Sequence, residues 1–432
     1  MHVTLDNAFA FSILILILIT IMGYIIPSAY VSFTTIKEHQ LEEIAQSIMD
    51  KILLSPGVPE NWGDIHTVQS EEYLKAFGLQ KANGSLYELD VDKILRVASV
   101  NTTTTVTLPS TVRISPDTIA RLLGLSNEYG FSIRITPALN VSFEVLAMHC
   151  IKQTGHDCVY SVPSRIRITV KTPEGRPAIG ANVTGLYILT TLEDNPGNPH
   201  DPNDAVANFT FFFVKDVTDW KGEAELEFGN PLEGVKNENR ALRRTCTSMV
   251  VYVDYYGIRA VNSHIFKDYS DFEDFLNSTI IDNYLVLEFD DAPGIPNGAR
   301  KLKHSGVYEP EVGLANPPYY IYLSGLEDIT EAPPGLGESG WIINRGNFRI
   351  RVYSLSNIVD DDVVLIMLPV SVPTSGGGRR WILVNFFREP SNVICQKGTA
   401  SGNIKTSVLK RMVRVGSFHY IVEVRVWRWG ER

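Results

Sequence analysis

Residues 8–32, AFAFSILILILITIMGYIIPSAYVS, form an uncharged run dominated by isoleucine and leucine. About 20 apolar residues are enough for a helix to cross the core of a bilayer, and this run is longer. No Lys or Arg precedes Ala8, and the run exceeds the roughly 7–15 apolar residues of a cleavable signal peptide. The run therefore predicts a retained transmembrane helix that places the rest of the chain on one side of a membrane.

The helical pattern continues beyond the apolar run. Apolar residues recur at spacings of three and four up to Leu54, charged residues fill the other face, and Ser55-Pro56-Gly57 ends the pattern. At 1.5 Å per residue, a continuous helix from Asp6 to Leu54 makes a rod roughly 70 Å long. Pro27 is expected to kink this rod and not to end it. Asp6 has two interpretations, a helix cap or a carboxylate that pairs with a cation of a neighbouring subunit.

The rest of the chain is long enough for several domains. About 375 residues follow the helix, and runs of Val, Ile and Thr with 32 Gly and 23 Pro favour β structure. We predict a mainly β fold with a long N-terminal α-helix, in which an α/β-mixed head is followed by β-sandwich-like domains. The predicted boundaries are 1–56 for the helix, 57–161 for a small mixed α/β domain, 162–291 for a β-sandwich and 292–432 for a β-rich C-terminal domain.

Two local signals within these domains are clear. Ser115-Pro116-Asp117 predicts the start of a short helix that ends at Gly124, with Pro at the first helical position. Alternating residues on both sides of Gly416-Ser417 predict a terminal β-hairpin.

Charge and glycosylation sequons bear on partners and location. The net charge of −10 argues against nucleic acid or an anionic lipid surface as a partner.

Six Asn-x-Ser/Thr sequons are possible glycosylation sites in an exported chain. They begin at Asn83, Asn101, Asn140, Asn182, Asn208 and Asn277. These signals predict an extracellular location at the cell surface.

The four cysteines suit two disulfides. Cys150 and Cys158 flank a short loop and are expected to form a local pair, which contributes about 2–3 kcal/mol. Cys246 and Cys395 lie in separate β-like stretches and are expected to pair across space. Four buried thiols are the alternative, and zinc fits poorly because no Cys-x-x-Cys occurs.

Signals for catalysis are weak. The sequence contains no Gly-x-Ser-x-Gly, His-Glu-x-x-His, phosphate-binding loop or Gly-x-Gly-x-x-Gly, so we predict neither an enzyme nor a cofactor. The loop 193–204 is rich in hard oxygen ligands, and Asp194, Asp201 and Asp204 are a weak Ca²⁺ candidate whose spacing departs from the EF-hand.

Several stretches together resemble a known family. Val58-Pro-Glu-Asn-Trp62 follows the N-terminal helix, Phe77-Gly-Leu79 comes next, and Tyr129-Gly-Phe-Ser-Ile-Arg-Ile-Thr-Pro137 after it. In this order they resemble archaeal membrane-anchored, type IV pilin-like extracellular proteins. Residues 166–228, with Glu174-Gly-Arg-Pro-Ala-Ile-Gly-Ala-Asn-Val183, resemble an Ig-like or carboxypeptidase-regulatory-like β-sandwich module.

The resemblance implies a structural or adhesive cell-surface protein, a pilin-like subunit of an extracellular filament assembled through N-terminal helices. The expected partners are copies of the chain through that helix, the membrane, and other surface proteins or glycans. A monomeric membrane-anchored binding module for glycans or surface-layer proteins is the alternative. Its candidate contacts are Trp341, Trp381, Trp427 and Trp429, which are also typical of a sheet core.

Overall fold

The structure is a computed structural model. It describes the backbone of residues 2–22, 26–64, 67–68, 70–97, 113–125, 127–154, 157–193, 206–229, 245–266, 277–281, 284–289, 313–314, 319–324, 328–332, 336–345, 348–355, 364–373, 379–387, 392–399 and 405–428. Side chains are described for residues 9–22, 39–64, 67–68, 70–97, 113–125, 127–150, 161–189, 210–229, 247–264, 266, 392–399 and 405–428.

The N-terminal region contains two helices in place of the predicted rod. Helix α1 spans His2–Thr20 and helix α2 spans Ile26–Leu54. The prediction of one long helix from Asp6 to Leu54 is therefore wrong. Pro27 lies in the first turn of α2. Backbone N–H groups in the first turn of a helix have no partner within the helix, so the missing N–H of proline costs nothing there. Within a continuous helix, its ring would clash with the carbonyl group four residues earlier. Pro27 thus begins a helix where we expected a kink.

The division of the apolar run also bears on the membrane. Among the described residues, no helix combines the length and hydropathy that a membrane span requires. This finding contradicts the predicted transmembrane helix and, with it, the predicted cell-surface location by anchoring through the N-terminal helix.

The rest of the described chain is mainly β. Two short helices, α3 (Val91–Val97) and α4 (Pro116–Leu123), and a 3₁₀ turn at Glu71–Tyr73 accompany the strands. The strands are β1 (Glu88–Leu89), β2 (Tyr129–Pro137), β3 (Asn140–Thr154), β4 (Asp157–Lys171), β5 (Asn182–Glu193), β6 (Val206–Val217), β7 (Glu223–Glu227), β8 (Thr245–Tyr255), β9 (Ile258–Phe266), β10 (Asn277–Ile281), β11 (Tyr284–Phe289), β12 (Gly313–Leu314), β13 (Tyr319–Ser324), β14 (Asp328–Ala332), β15 (Leu336–Arg345), β16 (Phe348–Leu355), β17 (Val364–Pro373), β18 (Arg379–Phe387), β19 (Val393–Lys397), β20 (Thr406–Val415) and β21 (Phe418–Arg428).

Helix α4 has the ends that its sequence predicts. The Ser115 hydroxyl accepts a hydrogen bond from the Thr118 N–H, Pro116 is the first helical residue, and Gly124 closes the helix at φ +79°. A residue without Cβ adopts this left-handed conformation at no steric cost.

The first sheet joins strands from both ends of the chain. Its order is β1-β20-β21-β2-β19, so strand β2 lies between β21 and β19, with Phe131 opposite Val426 and Ile133 opposite Cys395. Alternate residues of β2 and β21 face one core, as the two-residue period of a strand requires. Helices α2, α3 and α4 contribute to the same core, and we call this unit the head.

Two further sheets share a second core. Their orders are β3-β4-β7 and β6-β5-β8-β9, and the buried residues of both belong to one cluster that includes Ile166, Ile168, Tyr187, Leu226 and Val251. Face-to-face packing of two antiparallel sheets is the arrangement of a β-sandwich.

The last described sheets are defined by backbone pairing. One has the order β10-β11-β16-β15, and the other has the order β12-β17-β13-β14 with β18 paired to β17.

Candidate functional site

Residues 9–20 of helix α1 present an apolar surface on every side. They carry no charged side chain, and their large apolar side chains are exposed, from 43% at Ile15 to 72% at Phe9. Neither described core includes a residue of α1. A helix that is apolar all round is stable only when something covers it, so α1 is the principal candidate contact surface of the chain.

The hydroxyl of Thr20 does not oppose such burial. The Thr20 hydroxyl donates to the Leu16 carbonyl over 2.8 Å, so this group is satisfied within the helix. Burying a hydroxyl is costly only when it lacks a hydrogen bond. The described surface of α1 can therefore pack without water.

The second half of α2 fixes this region to the head. Its buried stripe recurs at spacings of three and four, which places it on one helix face, and comprises Leu41, Ala45, Ile48, Met49, Ile52 and Leu53. Burying each large aliphatic side chain stabilises the fold by about 1.5–3 kcal/mol. The Lys51 ammonium also donates to the Leu123 carbonyl at the end of α4, at 3.0 Å.

The loop after α2 contains the Val58–Trp62 motif, and its contacts are structural. Trp62 is fully buried and donates from its indole N–H to the Gly78 carbonyl at 2.9 Å. A Cβ on Gly78 would lie 2.0 Å from the Ser55 carbonyl oxygen, so only glycine fits there. The motif thus packs the loop that follows α2 against the segment around Gly78, which precedes β1.

Two buried cations of α3 hold the same loop. The Lys93 ammonium donates to the Gln80 and Pro56 carbonyls at 2.8 and 3.0 Å and lies 3.8 Å from the Asp90 carboxylate. The Arg96 guanidinium donates to several loop carbonyls, including those of Asp64 at 3.2 Å and Val68 at 2.6 Å. Both side chains are fully buried. Each cation therefore crosslinks backbone segments that would otherwise have unpaired carbonyls.

Burial governs the titration of these groups. It lowers the pKa of Lys93, against the opposing effect of Asp90, and it lowers the pKa of Arg96 to about 10, against Asp64 and Asp92. Burial and the nearby Asp92 raise the pKa of Asp90. Arg96 therefore stays charged at neutral pH and keeps its role as a donor.

The predicted glycosylation sites fall in two groups. Asn83, Asn140 and Asn182 are exposed. Asn101 and the side chains of Asn208 and Asn277 lie outside the described residues. Occupancy of all six sites stays a prediction.

The calcium candidate also stays untested. Asp194, Asp201 and Asp204 lie outside the described residues. Within the described part of the chain, no group of three or more His, Cys, Asp or Glu side chains is placed to hold a metal ion.

The cysteine predictions need a correction. No disulfide has both of its cysteines among the described side chains, and Cys395 is a buried free thiol whose pKa is raised to about 12 by burial. The predicted pair of Cys246 with Cys395 is therefore wrong, because Cys395 faces the core of the head whereas Cys246 lies on β8 of another sheet. Cys150 is disulfide-bonded, and the side chain of Cys158 lies outside the described residues.

Sequence reasoning missed the two buried cations. In Val91-Asp-Lys-Ile-Leu-Arg-Val97 the Lys and Arg alternate with apolar residues as they do on any surface helix. No local signal in the sequence marks either residue as buried. Among the predicted aromatic contacts, Trp427 is buried, whereas the side chains of Trp341, Trp381 and Trp429 lie outside the described residues.

Comparison with models of known protein families and with curated proteins finds no match for this chain. The resemblances to pilin-like proteins and to Ig-like modules therefore stay predictions.

Proposed function

We propose that the chain is a structural subunit that associates with further copies of itself through helix α1. The observation that carries this proposal is the exposure of large apolar side chains on all sides of residues 9–20 of α1, next to helix α2, whose second half packs into the head. Assembly would cover α1, and the head would then be displayed at the outside of the assembly.

Helix α1 of another copy of the chain can pack against α1. An all-apolar surface without charges selects partners by shape and not by ion pairing, and identical helices related by symmetry offer matching surfaces. Ala10 and Ser12 lie among the large side chains and permit close approach of a neighbouring backbone. The Asp6 carboxylate precedes this surface, and its pairing with a neighbouring subunit is part of the same proposal.

Electron microscopy of the full chain tests the proposal. After purification in mild detergent and removal of the detergent, we expect ordered particles of one symmetry. Leu16→Glu places a charge on α1 and is expected to yield monomers, because an unpaired carboxylate is costly to bury. Leu54→Glu is the matched control, since Leu54 is an exposed leucine at the end of α2. Amorphous aggregates, or equal effects of both variants, would contradict the proposal.

A second candidate function, a glycan-binding module, has one supporting observation. Trp220 is 72% exposed on the turn between β6 and β7, and the Lys221 ammonium lies 5.2 Å from the centroid of its ring. Exposed tryptophan beside a polar group is typical of surfaces that bind amphipathic partners. Glycan-array binding that is lost in Trp220→Ala and kept in Val217→Ala, a neighbouring exposed apolar residue, would support this candidate.

A further inference from the structure

A tight hairpin turn of the head meets a tight hairpin turn of another sheet. The turn between β8 and β9 contains Tyr256 and Gly257 at φ +52° and +82°, and the turn between β20 and β21 contains Gly416 at φ +56°. Two-residue turns of this kind match the twist of the flanking strands. Residues next to the turns also connect the hairpins, because the Arg259 N–H donates to His419 Nδ1 at 3.1 Å.

A polar cleft of about 390 Å³ lies where the hairpins meet. Its lining includes Arg259, Arg414, His419 and Glu88, two glycines and a serine, and none of these side chains is apolar. This volume lies within the range of small-molecule sites, but the lining suits a hydrophilic ligand and not an apolar one.

Both arginines are held in place by a hydrogen bond to a carboxylate, and each has further side-chain N–H groups that can donate to a ligand. Asp254 accepts from the Gly257 N–H at 2.9 Å and from Arg259 Nε at 3.3 Å, so it holds the turn and the guanidinium together. Arg414 Nη2 donates to Ser85 Oγ at 3.0 Å and to Glu88 Oε2 at 2.7 Å. Toward the described residues, the remaining side-chain N–H groups of these two arginines make no further hydrogen bond that joins them to protein.

One oxygen of the Glu88 carboxylate already accepts several hydrogen bonds. Its Oε2 also accepts from the Ser85 N–H at 3.0 Å and the Ser85 hydroxyl at 2.6 Å, and its Oε1 lies 4.0 Å from the Lys81 ammonium. The Ser85 hydroxyl, the Ser85 N–H and Arg414 lower the pKa of Glu88 to about 2, against the opposing effect of burial. The two arginines of the cleft are thus each hydrogen-bonded to one carboxylate, Arg259 to Asp254 and Arg414 to Glu88.

His419 lies beside both arginines of the cleft. Burial is the largest cause that lowers its pKa, followed by Arg414 and Arg259, against the opposing effect of Asp254. Because Nδ1 accepts a hydrogen bond, the neutral ring carries its proton on Nε2, which is a further donor.

We propose that this cleft binds a hydrophilic small molecule through an oxyanion, a phosphate or a carboxylate, held between Arg259 and Arg414. Guanidinium groups bind both kinds of oxyanion with two parallel hydrogen bonds, and braced arginines lose little freedom on binding. The proposal is independent of assembly through α1.

Titration calorimetry of the full chain tests the cleft with inorganic phosphate, glucuronate and neutral glucose. We expect saturable binding of phosphate or glucuronate and none of glucose, and the stronger of the two anions identifies the kind of oxyanion. Arg259→Gln and Arg414→Gln are each expected to weaken binding at least about tenfold, since each removes a charged hydrogen bond. Arg134→Gln, an exposed arginine of β2 that does not line the cleft, is the control.

A second readout follows from His419. A bound anion offsets the field of the two arginines and raises the pKa of the imidazole, so binding near the ordinary histidine pKa takes up protons. Calorimetry in two buffers of different ionisation enthalpy measures this uptake, which is expected to vanish in His419→Asn. The proposal is overturned if neither anion binds saturably, if glucose binds as tightly as the anions, or if Arg259→Gln binds as the unaltered chain does.

Discussion

Helix α1 and the second half of α2 present similar aliphatic side chains to very different surroundings. Ile52 in α2 is fully buried, whereas Leu16 in α1 is 69% exposed. The two helices follow one another in the chain, but residues 9–20 of α1 carry no charge, whereas charged residues such as Glu42, Glu43 and Asp50 lie on the outer face of α2. The difference shows that the head covers α2 with its own sheet, whereas neither described core includes a residue of α1. Stability should therefore depend on α2 and association on α1.

Among the variants below, removing Arg96, which holds the loop after α2, should lower the stability of the head the most. Arg96→Ala leaves several buried loop carbonyls without their donor, which we expect to lower the free energy of unfolding by about 3–5 kcal/mol. Urea denaturation followed by tryptophan fluorescence measures the loss. Arg134→Ala, at an exposed arginine, is the control and should change stability by less than about 0.5 kcal/mol. Equal losses in both variants would show that the loop is not held by Arg96.

Truncating one aliphatic residue on each helix separates stability from association. Ile52→Ala should lower the free energy of unfolding by about 2–5 kcal/mol, because it opens a cavity in the head. Leu16→Ala should change it by no more than about 0.5 kcal/mol and should instead weaken association. The same denaturation curves and sedimentation velocity test both statements, and a destabilised head in Leu16→Ala would contradict them.

The head should also lose stability in acid through Glu88. Its pKa is lowered from 4.5 to about 2, chiefly by the Ser85 hydroxyl, so its contribution is complete above pH 4.5 and is lost as the pH falls towards 2. Glu88→Gln should cost about 1–3 kcal/mol at neutral pH and nearly nothing near pH 2. Denaturation over this pH range measures the difference.

Glu128→Gln is the matched control for that series. Glu128 pairs with Arg428 at 2.8 Å, but its side chain is 61% exposed, so the pair should contribute less than about 1 kcal/mol. A pH-independent effect of Glu88→Gln would contradict the assigned role of the Glu88 carboxylate.

The sequence predicts the local elements better than their long-range partners. The cap of Ser115, the left-handed Gly124 and the turn at Gly416 depend on a few neighbouring residues, and the structure contains them where expected. The pairing of β2 with β21 joins residues almost 300 positions apart, and no local pattern specifies it. The division into α1 and α2 was missed because Pro27 suits both a kink and a helix start.

The candidate sites show the same limit. The apolar surface of α1 is visible in the sequence, although its interpretation as a membrane span was wrong. Lys93, Arg96 and Cys395 look like ordinary surface or strand residues, because their burial depends on segments far away in the chain. Arg259, Arg414 and His419 meet only through the contact of two hairpins from different sheets.

Oxidative crosslinking of single-cysteine additions tests the central claim most directly. Leu16→Cys places a thiol on α1 and Leu54→Cys places one on an exposed position of the head, in otherwise identical full chains. Cys395 should not compete, because it is buried and its thiol pKa is about 12. If copies associate through α1, Leu16→Cys should form covalent dimers on mild oxidation and Leu54→Cys should form few. Equal crosslinking at the two positions, or none at Leu16→Cys, would contradict the account.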